Sequence, residues 1–149
     1  MEKKLKLRNS FVEGAISPDK IANSIANHQQ KTNIGGHAIF LGQVRKDVIG
    51  GKEVGAKEYT RYKEMAEQKI AEIREDIFKK YELTCMHIYH SLGVVKAGEL
   101  CLFVFTSSAH RLPAQQACSE LVERIKAEVP IWGKEIFEDS TFTWKENKG

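Results

Sequence analysis

Apolar side chains recur with helical spacing between residues 113 and 129. Pro113 fits the first turn of a helix, where its missing N–H costs nothing, and Pro130 ends the helix near Val129. One face of this helix is apolar, because the spacing places on it Ala114, Ala117, Cys118, Leu121, Val122 and Ile125. Lys126 lies at the border of that face, where its stem can pack on apolar surface while its ammonium projects into a cleft.

Two further helices and six strands are predicted in the same way. A helix begins at the capping sequence Ser17-Pro18-Asp19 and runs to about His28, and a longer helix covers residues 64–81. Alternating or continuous apolar runs predict strands at residues 3–12, 36–44, 54–62, 84–92, 100–106 and 136–144. Helices and strands alternate but some strands follow one another, which indicates an α+β fold, or an α/β layer with antiparallel pairs. We expect a mixed sheet with helices packed on it.

Three segments carry more specific expectations. The unbroken apolar centre of residues 36–44 is typical of a strand that is buried on both faces. Residues 46–55 are polar and contain Gly50 and Gly51, which predicts a mobile loop, and residues 94–99 are predicted to be a connection. His87 and His90 are separated by an odd number of positions on a strand. We therefore expect them to point to opposite faces and not to form a ligand pair.

Composition places the chain among ordinary soluble proteins. It has 149 residues, 42% hydrophobic and 29% charged, so we expect one domain over residues 1–149. A net charge of +3 is too small to indicate nucleic-acid binding, and no apolar run is long enough to cross a membrane. Cys85, Cys101 and Cys118 lack CxxC or zinc-ligand spacing, so no metal site is expected. Scattered cysteines and an N-terminus without a signal sequence favour the cytoplasm.

A set of cations is the main candidate for chemistry. The sequence contains no Ser-His-Asp order, phosphate-binding loop or paired-carboxylate signature. Arg45 follows a predicted strand, and His110 and Arg111 directly precede a helix, where free N–H groups favour anions. Lys126 and Lys134 complete the set, and a lysine packed near other cations can have a lowered pKa. These groups suit an anionic, phosphorylated small molecule; the alternative for each is an ordinary solvated surface residue.

Five motifs cover roughly residues 34–140. They are FLGQVR (40–45), YTRYKEMAE (59–67), YHSLGVVKAGE (89–99), SSAHR (107–111) and IKAEVPIWGKEIFED (125–139). In this order they resemble the catalytic (large) subunit of molybdopterin synthase, the MoaE family. SSAHR followed by a helix and the lysine-Pro-Ile-Trp segment is the most specific part of the resemblance, which implies an α/β hammerhead fold.

The resemblance also implies a reaction and its partners. The family's enzymes are sulfurtransferases of molybdenum cofactor biosynthesis, which convert cyclic pyranopterin monophosphate into molybdopterin by adding two sulfurs as a dithiolene. The sulfur arrives as a thiocarboxylate on the Gly-Gly C-terminus of a small ubiquitin-like subunit. Two large subunits form a homodimer within a heterotetramer, and each active site takes residues from the neighbouring copy. Neither a cofactor nor a metal is implied.

Residue roles follow from the resemblance by position. Lys126 matches the family's central catalytic lysine, near the thiocarboxylate carbonyl, and Lys134 is the second candidate catalytic residue. Arg45 would hold the phosphate or the pterin, and the pair at residues 110–111 would do so from the opposite protomer. The implied substrate-binding set is Gln43, Val44, Arg45, His110, Arg111, Lys126, Gly133, Lys134 and Glu135.

Two positions depart from the family pattern. Gly133 stands where the family usually has lysine, so either Lys134 reaches the same space or one functional cation is missing. Ser91 stands where the family often has arginine, which changes a dimer contact or a salt bridge. The departure at Gly133 favours one alternative function, a binding module that still docks the ubiquitin-like partner. An RNA-binding module is a more distant alternative, which the mild net charge opposes.

Two expectations concern assembly. We predict that Arg45 and the His110–Arg111 pair converge on one pocket, within the protomer or across a dimer interface. We also predict a homodimer of this chain, with the ubiquitin-like subunits at its outer ends.

Overall fold

Residues 7–145 are described by a computed structural model, in which three helices pack on one mixed sheet. The helices are α1 (Pro18–His28), α2 (Lys63–Lys80) and α3 (Arg111–Glu128). The strands are β1 (Phe11–Glu13), β2 (Gly36–Gln43), β3 (Val48–Ile49), β4 (Lys52–Arg61), β5 (Cys85–Lys96), β6 (Leu100–Ser108), β7 (Ile131–Phe137) and β8 (Phe142–Lys145). The α+β prediction is confirmed; residues 3–6 of the first predicted strand lie outside the described residues.

Strand β5 joins the two halves of the sheet. The strand order is β2-β6-β5-β4-β7-β8, with β1 parallel to β5 and β3 beside β4. Residues 85–90 of β5 pair with β6, whereas residues 93–96 pair with β4. Gly93 lies where the partner changes and has a φ of 78°, which glycine adopts without a steric penalty. The predicted connection at residues 94–99 is wrong in its first half, because the β-branched Val94 and Val95 continue the strand.

The predicted loop at residues 46–55 contains a β-hairpin. Val48 pairs with Glu53 and Ile49 with Lys52, in antiparallel register. The two glycines between them, at positions 50 and 51, have φ values of 58° and 80°. Positive φ at both central residues is the requirement of a two-residue hairpin turn. The glycines therefore mark a tight turn between paired strands, and the mobile-loop prediction is wrong for this part of the segment.

Strand β2 forms one edge of the sheet, and only one of its faces is covered. Ala38 and Phe40 pack against the core beneath α3, whereas Ile39 and Leu41 are 38% and 41% exposed. The prediction that this strand is buried on both faces is wrong, because α3 covers only one of them. The uncovered face gives the described part of the chain an apolar edge strand, a feature that commonly pairs with another chain.

The helices lie on both faces of the sheet. Helices α2 and α3 share one core with β5 and β6, built on Ile73, Ile77, Ile88, Val104 and Leu121. Helix α1 packs on the other face against Phe103 and Phe105, and burial of each such ring stabilises the fold by about 1.5–3 kcal/mol. His87 faces α1 and His90 faces the opposite side, as predicted from their spacing. Within residues 7–145, no helix has both the length and the apolarity needed to cross a membrane.

Candidate active site

His110 and Arg111 lie at the N-terminal end of α3, and both are exposed. The buried hydroxyl of Ser108 accepts an N–H from the first turn of the helix at 3.1 Å and donates to the carbonyl of His110. The turn before β2 approaches this corner closely, since a Cβ on Gly35 would clash with the backbone carbonyl oxygen of Ala109. The backbone around His110 and Arg111 is therefore fixed, while their side chains reach into solvent.

Arg45 lies beyond the other end of β2. The preceding residue, Val44, is buried, and both of its backbone groups bond to the turn at residues 98–99, at 3.0 and 2.8 Å. Val44 thus anchors the chain, whereas Gln43 is exposed at the end of the strand. The Arg45 guanidinium is 3.4 Å from the Asp47 carboxylate and its side chain is 73% exposed. Arg45 is therefore accessible to a ligand, beside the Asp47 carboxylate.

Arg45 and the His110–Arg111 pair do not meet within one protomer. Gly36, at the start of β2, touches the α3 corner, since a Cβ there would lie 3.0 Å from the Arg111 Cα atom. Arg45 follows the far end of the same strand, which is eight residues long and so about 25 Å away. The prediction of one shared pocket is therefore wrong for the protomer and stays a prediction for a dimer.

A second group of polar side chains lies where β4 pairs with β7. Lys57 is directly opposite Glu135, and Tyr59 is opposite Gly133, so all four positions share one face. The Lys57 ammonium is 3.9 Å from a Glu135 carboxylate oxygen, and the two side chains are only 13% and 2% exposed. A buried carboxylate beside a lysine holds that lysine in place and balances its charge.

The space above Gly133 is bordered by Lys57. A Cβ on Gly133 would lie 3.6 Å from the ring of Tyr59 and 4.0 Å from Cδ of Lys57, which are ordinary contact distances. A lysine side chain starting at position 133 would therefore run alongside the Lys57 stem. Sequence reasoning missed Lys57, because its relation to Gly133 depends on the pairing of two strands that are distant in the chain.

Lys134 points to the opposite face of β7. Its neighbour across the strands is Glu58, whose carboxylate is 3.1 Å from the Lys134 ammonium. The ammonium also lies 4.5 Å above the ring of Phe142 and 5.7 Å from that of Trp144. Strand alternation places Gly133 and Lys134 on different faces, so Lys134 does not reach the space of the missing lysine. Its expected catalytic role stays a prediction.

Lys126 completes this group from the last turn of α3, where it is exposed. The buried His90 ring contacts the Tyr59 ring at 5.0 Å and donates its Nδ1–H to the Ser91 carbonyl at 2.7 Å. Burial lowers the pKa of His90 to about 4, and the charge of Lys126 acts in the same direction. Lys126 therefore lies within electrostatic reach of His90. We call Lys57 and Glu135, which share a face with Tyr59 and Gly133, together with Lys126 the lysine site.

The lysine site combines two lysines with two neutral side chains, those of Tyr59 and His90. Burial raises the pKa of Tyr59 well above its ordinary value, so its hydroxyl stays protonated near neutral pH. The His90 imidazole is neutral at the same pH, because its pKa is about 4. An anion placed here meets the Lys57 ammonium in a partly dehydrated setting, where such contacts are strong.

The structure is that of an α+β protein with basic residues at both ends of α3. A family profile described as "MoaE protein" matches residues 12–128. The chain belongs to this family, which confirms the resemblance carried by the sequence motifs.

Curated relatives agree with this assignment. The molybdopterin synthase catalytic subunit of Rattus norvegicus is 40% identical over 114 residues, which cover 76% of this chain and 56% of the rat protein. The protein of the same name from Thermoplasma volcanium is 36% identical over 136 residues, covering 91% and 98%. The chain therefore spans little more than half of the rat relative and nearly all of the Thermoplasma one.

Solved structures share the fold. The crystal structure of molybdopterin synthase from Staphylococcus aureus superposes with a TM-score of 0.77 at 31% identity and covers 92% of this chain and 96% of that one. A complex of subunits 1 and 2 of molybdopterin-converting factor from Helicobacter pylori gives a TM-score of 0.80, covering 94% and 91%. At 16% identity the second match shows the fold alone.

Proposed function

We propose that this chain is the catalytic subunit of a cytoplasmic molybdopterin synthase, a sulfurtransferase. Its substrate is cyclic pyranopterin monophosphate, and its sulfur donor is the C-terminal thiocarboxylate of a small ubiquitin-like subunit. In each of two rounds, the donor sulfur forms a C–S bond to a side-chain carbon of the pterin while that carbon loses an oxygen, as water in one round and by opening of the cyclic phosphate ester in the other. The acyl C–S bond of the thiocarboxylate then breaks. The acyl carbon takes an oxygen from water, so the partner leaves with an ordinary carboxylate. Two rounds supply the two sulfurs of the dithiolene.

The lysine site is the observation that carries this proposal. Both reactants are anionic, since one bears a phosphate and the other a thiocarboxylate. Lys126, exposed in the last turn of α3, would stabilise the negative charge that develops at the thiocarboxylate carbonyl. Lys57 supplies a second ammonium, held by Glu135, beside the position at which Gly133 lacks the family's lysine. The site thus keeps two lysines although position 133 contributes none.

A second copy of the chain would complete the substrate site. Strand β2 is an apolar edge, with Ile39 and Leu41 exposed. Two such strands paired antiparallel about a two-fold axis would set the Arg45 end of one copy beside the Arg111 end of the other. We therefore propose a homodimer through β2. Light scattering should show a dimer at micromolar concentration, and Ile39→Asp should give a monomer; a wild-type monomer would contradict this arrangement.

The surroundings of Lys134 suit binding of the partner subunit better than a role in sulfur transfer. It lies among exposed aromatic side chains: Phe142 and Trp144 are each 57% exposed and Trp132 is 42% exposed. Exposed aromatic groups beside a cation are typical of protein-binding surfaces. We propose that this face contacts the ubiquitin-like subunit. Lys134→Ala should then weaken partner binding several-fold and leave the rate at saturating partner unchanged; the reverse result would return Lys134 to the catalytic group.

The alternative function is a binding module that docks the partner without transferring its sulfur. Gly133 is the feature that favours it. The two functions are separated by a single-turnover assay in which the purified chain, its thiocarboxylated partner and cyclic pyranopterin monophosphate are mixed and molybdopterin is quantified. We expect conversion, and none with a partner that ends in an ordinary carboxylate. Tight partner binding without conversion would establish the binding module instead.

A further inference from the structure

Three potential metal ligands meet on the α1 face of the sheet, on the opposite side of β5 from His90. His28 ends α1, and Cys85 and His87 are alternate residues of β5, so both point towards it. The Nε2 atoms of the two histidines are 2.9 Å apart, and one ring nitrogen of each histidine and the Cys85 sulfur all lie within 4.8 Å of one another. We infer that His28, Cys85 and His87 bind a thiophilic divalent cation, for which Zn²⁺ is the best match.

The hydrogen bonds of His28 prepare it for such a role. Its Nδ1–H donates to the Ser24 carbonyl at 2.7 Å, so the neutral ring carries its lone pair on Nε2, the atom that faces His87. A backbone carbonyl on the far nitrogen is the usual way in which proteins orient a metal-binding histidine. His28 is also the last residue of α1, and the C-terminal end of a helix dipole favours a cation.

The distances allow a metal with little rearrangement. Zinc bonds of about 2.0–2.1 Å to nitrogen and 2.3 Å to sulfur place tetrahedral ligands about 3.3–3.6 Å apart. The two histidine nitrogens would separate by a few tenths of an ångström from their present 2.9 Å. The Cys85 sulfur already lies within 4.8 Å of a ring nitrogen of each histidine. Small side-chain rotations therefore suffice, while α1 and β5 keep their places.

Packing and a neighbouring lysine hold the ligands in place. The half-buried His87 ring packs edge-on against the His28 ring, with the two ring centres 4.7 Å apart. The Lys31 ammonium donates to the Cys85 sulfur at 2.9 Å and holds it beside the histidines. Metals bind neutral imidazole and thiolate. Because the charge of Lys31 repels a metal ion, binding depends most strongly on the thiolate that Cys85 would supply as a ligand.

A fourth ligand position remains on the outer side of the triad. The ring of His37 is 6.4 Å from that of His28 and is exposed, so this position is accessible to His37 or to water. The spacing of cysteines and histidines along the chain predicts no metal site, because α1 and β5 are distant in sequence. The site would join these two elements on the face that the lysine site does not use, and it is independent of the proposed function.

The test uses the tag-free full chain after chelation, with Co²⁺ as a spectroscopic probe. One equivalent should give the near-ultraviolet band of a cobalt thiolate, and Zn²⁺ should displace the cobalt and raise the melting temperature. Cys85→Ser should abolish the band, and His87→Gln should weaken Co²⁺ binding by more than about 100-fold. Cys118→Ser, which removes a buried cysteine on α3, should bind as the wild type does.

Absence of the band in the wild type, or its persistence in Cys85→Ser, would overturn the assignment. Equal stabilisation by Zn²⁺ in the wild type and in His87→Gln would also overturn it. If Cys85→Ser fails to fold, His87→Gln decides the question, because His87 is partly exposed and its amide replacement is polar.

Discussion

The two ends of helix α3 hold their cations in different ways. At the N-terminal end, His110 and Arg111 are exposed on a rigid backbone corner. At the C-terminal end, Lys126 lies within electrostatic reach of His90, and the Lys57 ammonium of the lysine site lies 3.9 Å from the almost fully buried carboxylate of Glu135. A carboxylate that fixes a lysine is expected where charge must be placed accurately for chemistry. Exposed cations at a helix start suit the capture of an anion such as phosphate.

The length of α3 keeps these two tasks apart. Its 18 residues span about 27 Å, so no small molecule can touch both ends in one protomer. The comparison therefore predicts chemistry at the lysine site and substrate capture by the corner of a neighbouring copy. Four predictions test this division, from the largest expected effect to the smallest.

Removal of Lys126 should have the largest effect. Lys126→Ala should slow single-turnover formation of molybdopterin by about 10²–10⁴-fold, because a positioned charge or proton is commonly worth that much. The melting temperature should change little, since an exposed side chain away from the core contributes about 0.5 kcal/mol or less. Lys79→Ala, on the exposed side of α2, is the matched control. A wild-type rate in Lys126→Ala would mean that the C-terminal end of α3 takes no part in sulfur transfer.

Mixed dimers test whether the α3 corner acts on the neighbouring copy. Arg111→Ala should reduce turnover by about 10–100-fold, the loss of a charge-assisted phosphate contact. When the Arg111→Ala and Lys126→Ala variants are mixed in equal amounts, half of the dimers contain one copy of each variant. One of the two sites in each mixed dimer is intact, so about a quarter of the wild-type rate should return. Activity that stays at the level of the separate variants would mean that both ends serve the same protomer or that no dimer forms.

The role of Lys57 can be tested together with Gly133. Lys57→Ala should lower the rate by about 10-fold, on the order of one charge-assisted contact. Adding Gly133→Lys should restore it, because a side chain at that position meets only ordinary contacts from Tyr59 and the Lys57 stem. Removal of Lys57 takes a charged neighbour away from the buried Glu135 and can lower the stability of the fold. Melting curves of both variants show whether a lower stability explains the lost rate. If Gly133→Lys fails to restore the rate of a folded Lys57→Ala variant, Lys57 does not take the place of the lysine that position 133 lacks.

The helices could be predicted from the sequence because helical spacing and capping are local signals. The apolar face of α3 and its end before Pro130 are read within one segment, and the cations at residues 110, 111 and 126 fall where that helix places them. The strand pairings were harder to predict from the sequence. The continuation of β5 past Gly93, the hairpin before β4 and the relation of Lys57 to Gly133 all depend on pairing between distant segments.

The smallest expected effect links His90 with Lys126. Burial holds the pKa of His90 at about 4, against about 6.5 in an unfolded chain. Between these values the unfolded chain binds a proton that the folded chain does not, so the free energy of unfolding falls as the pH decreases from 6.5 to 4. His90 contributes at most about 1.4 kcal/mol per pH unit to this slope. Denaturant titrations between these pH values should show a shallower slope in His90→Phe, and NMR titration of Lys126→Met should show a higher pKa for His90. An unchanged slope together with an unchanged pKa of His90 would mean that Lys126 points away from His90. Lys126 would then not belong to the lysine site.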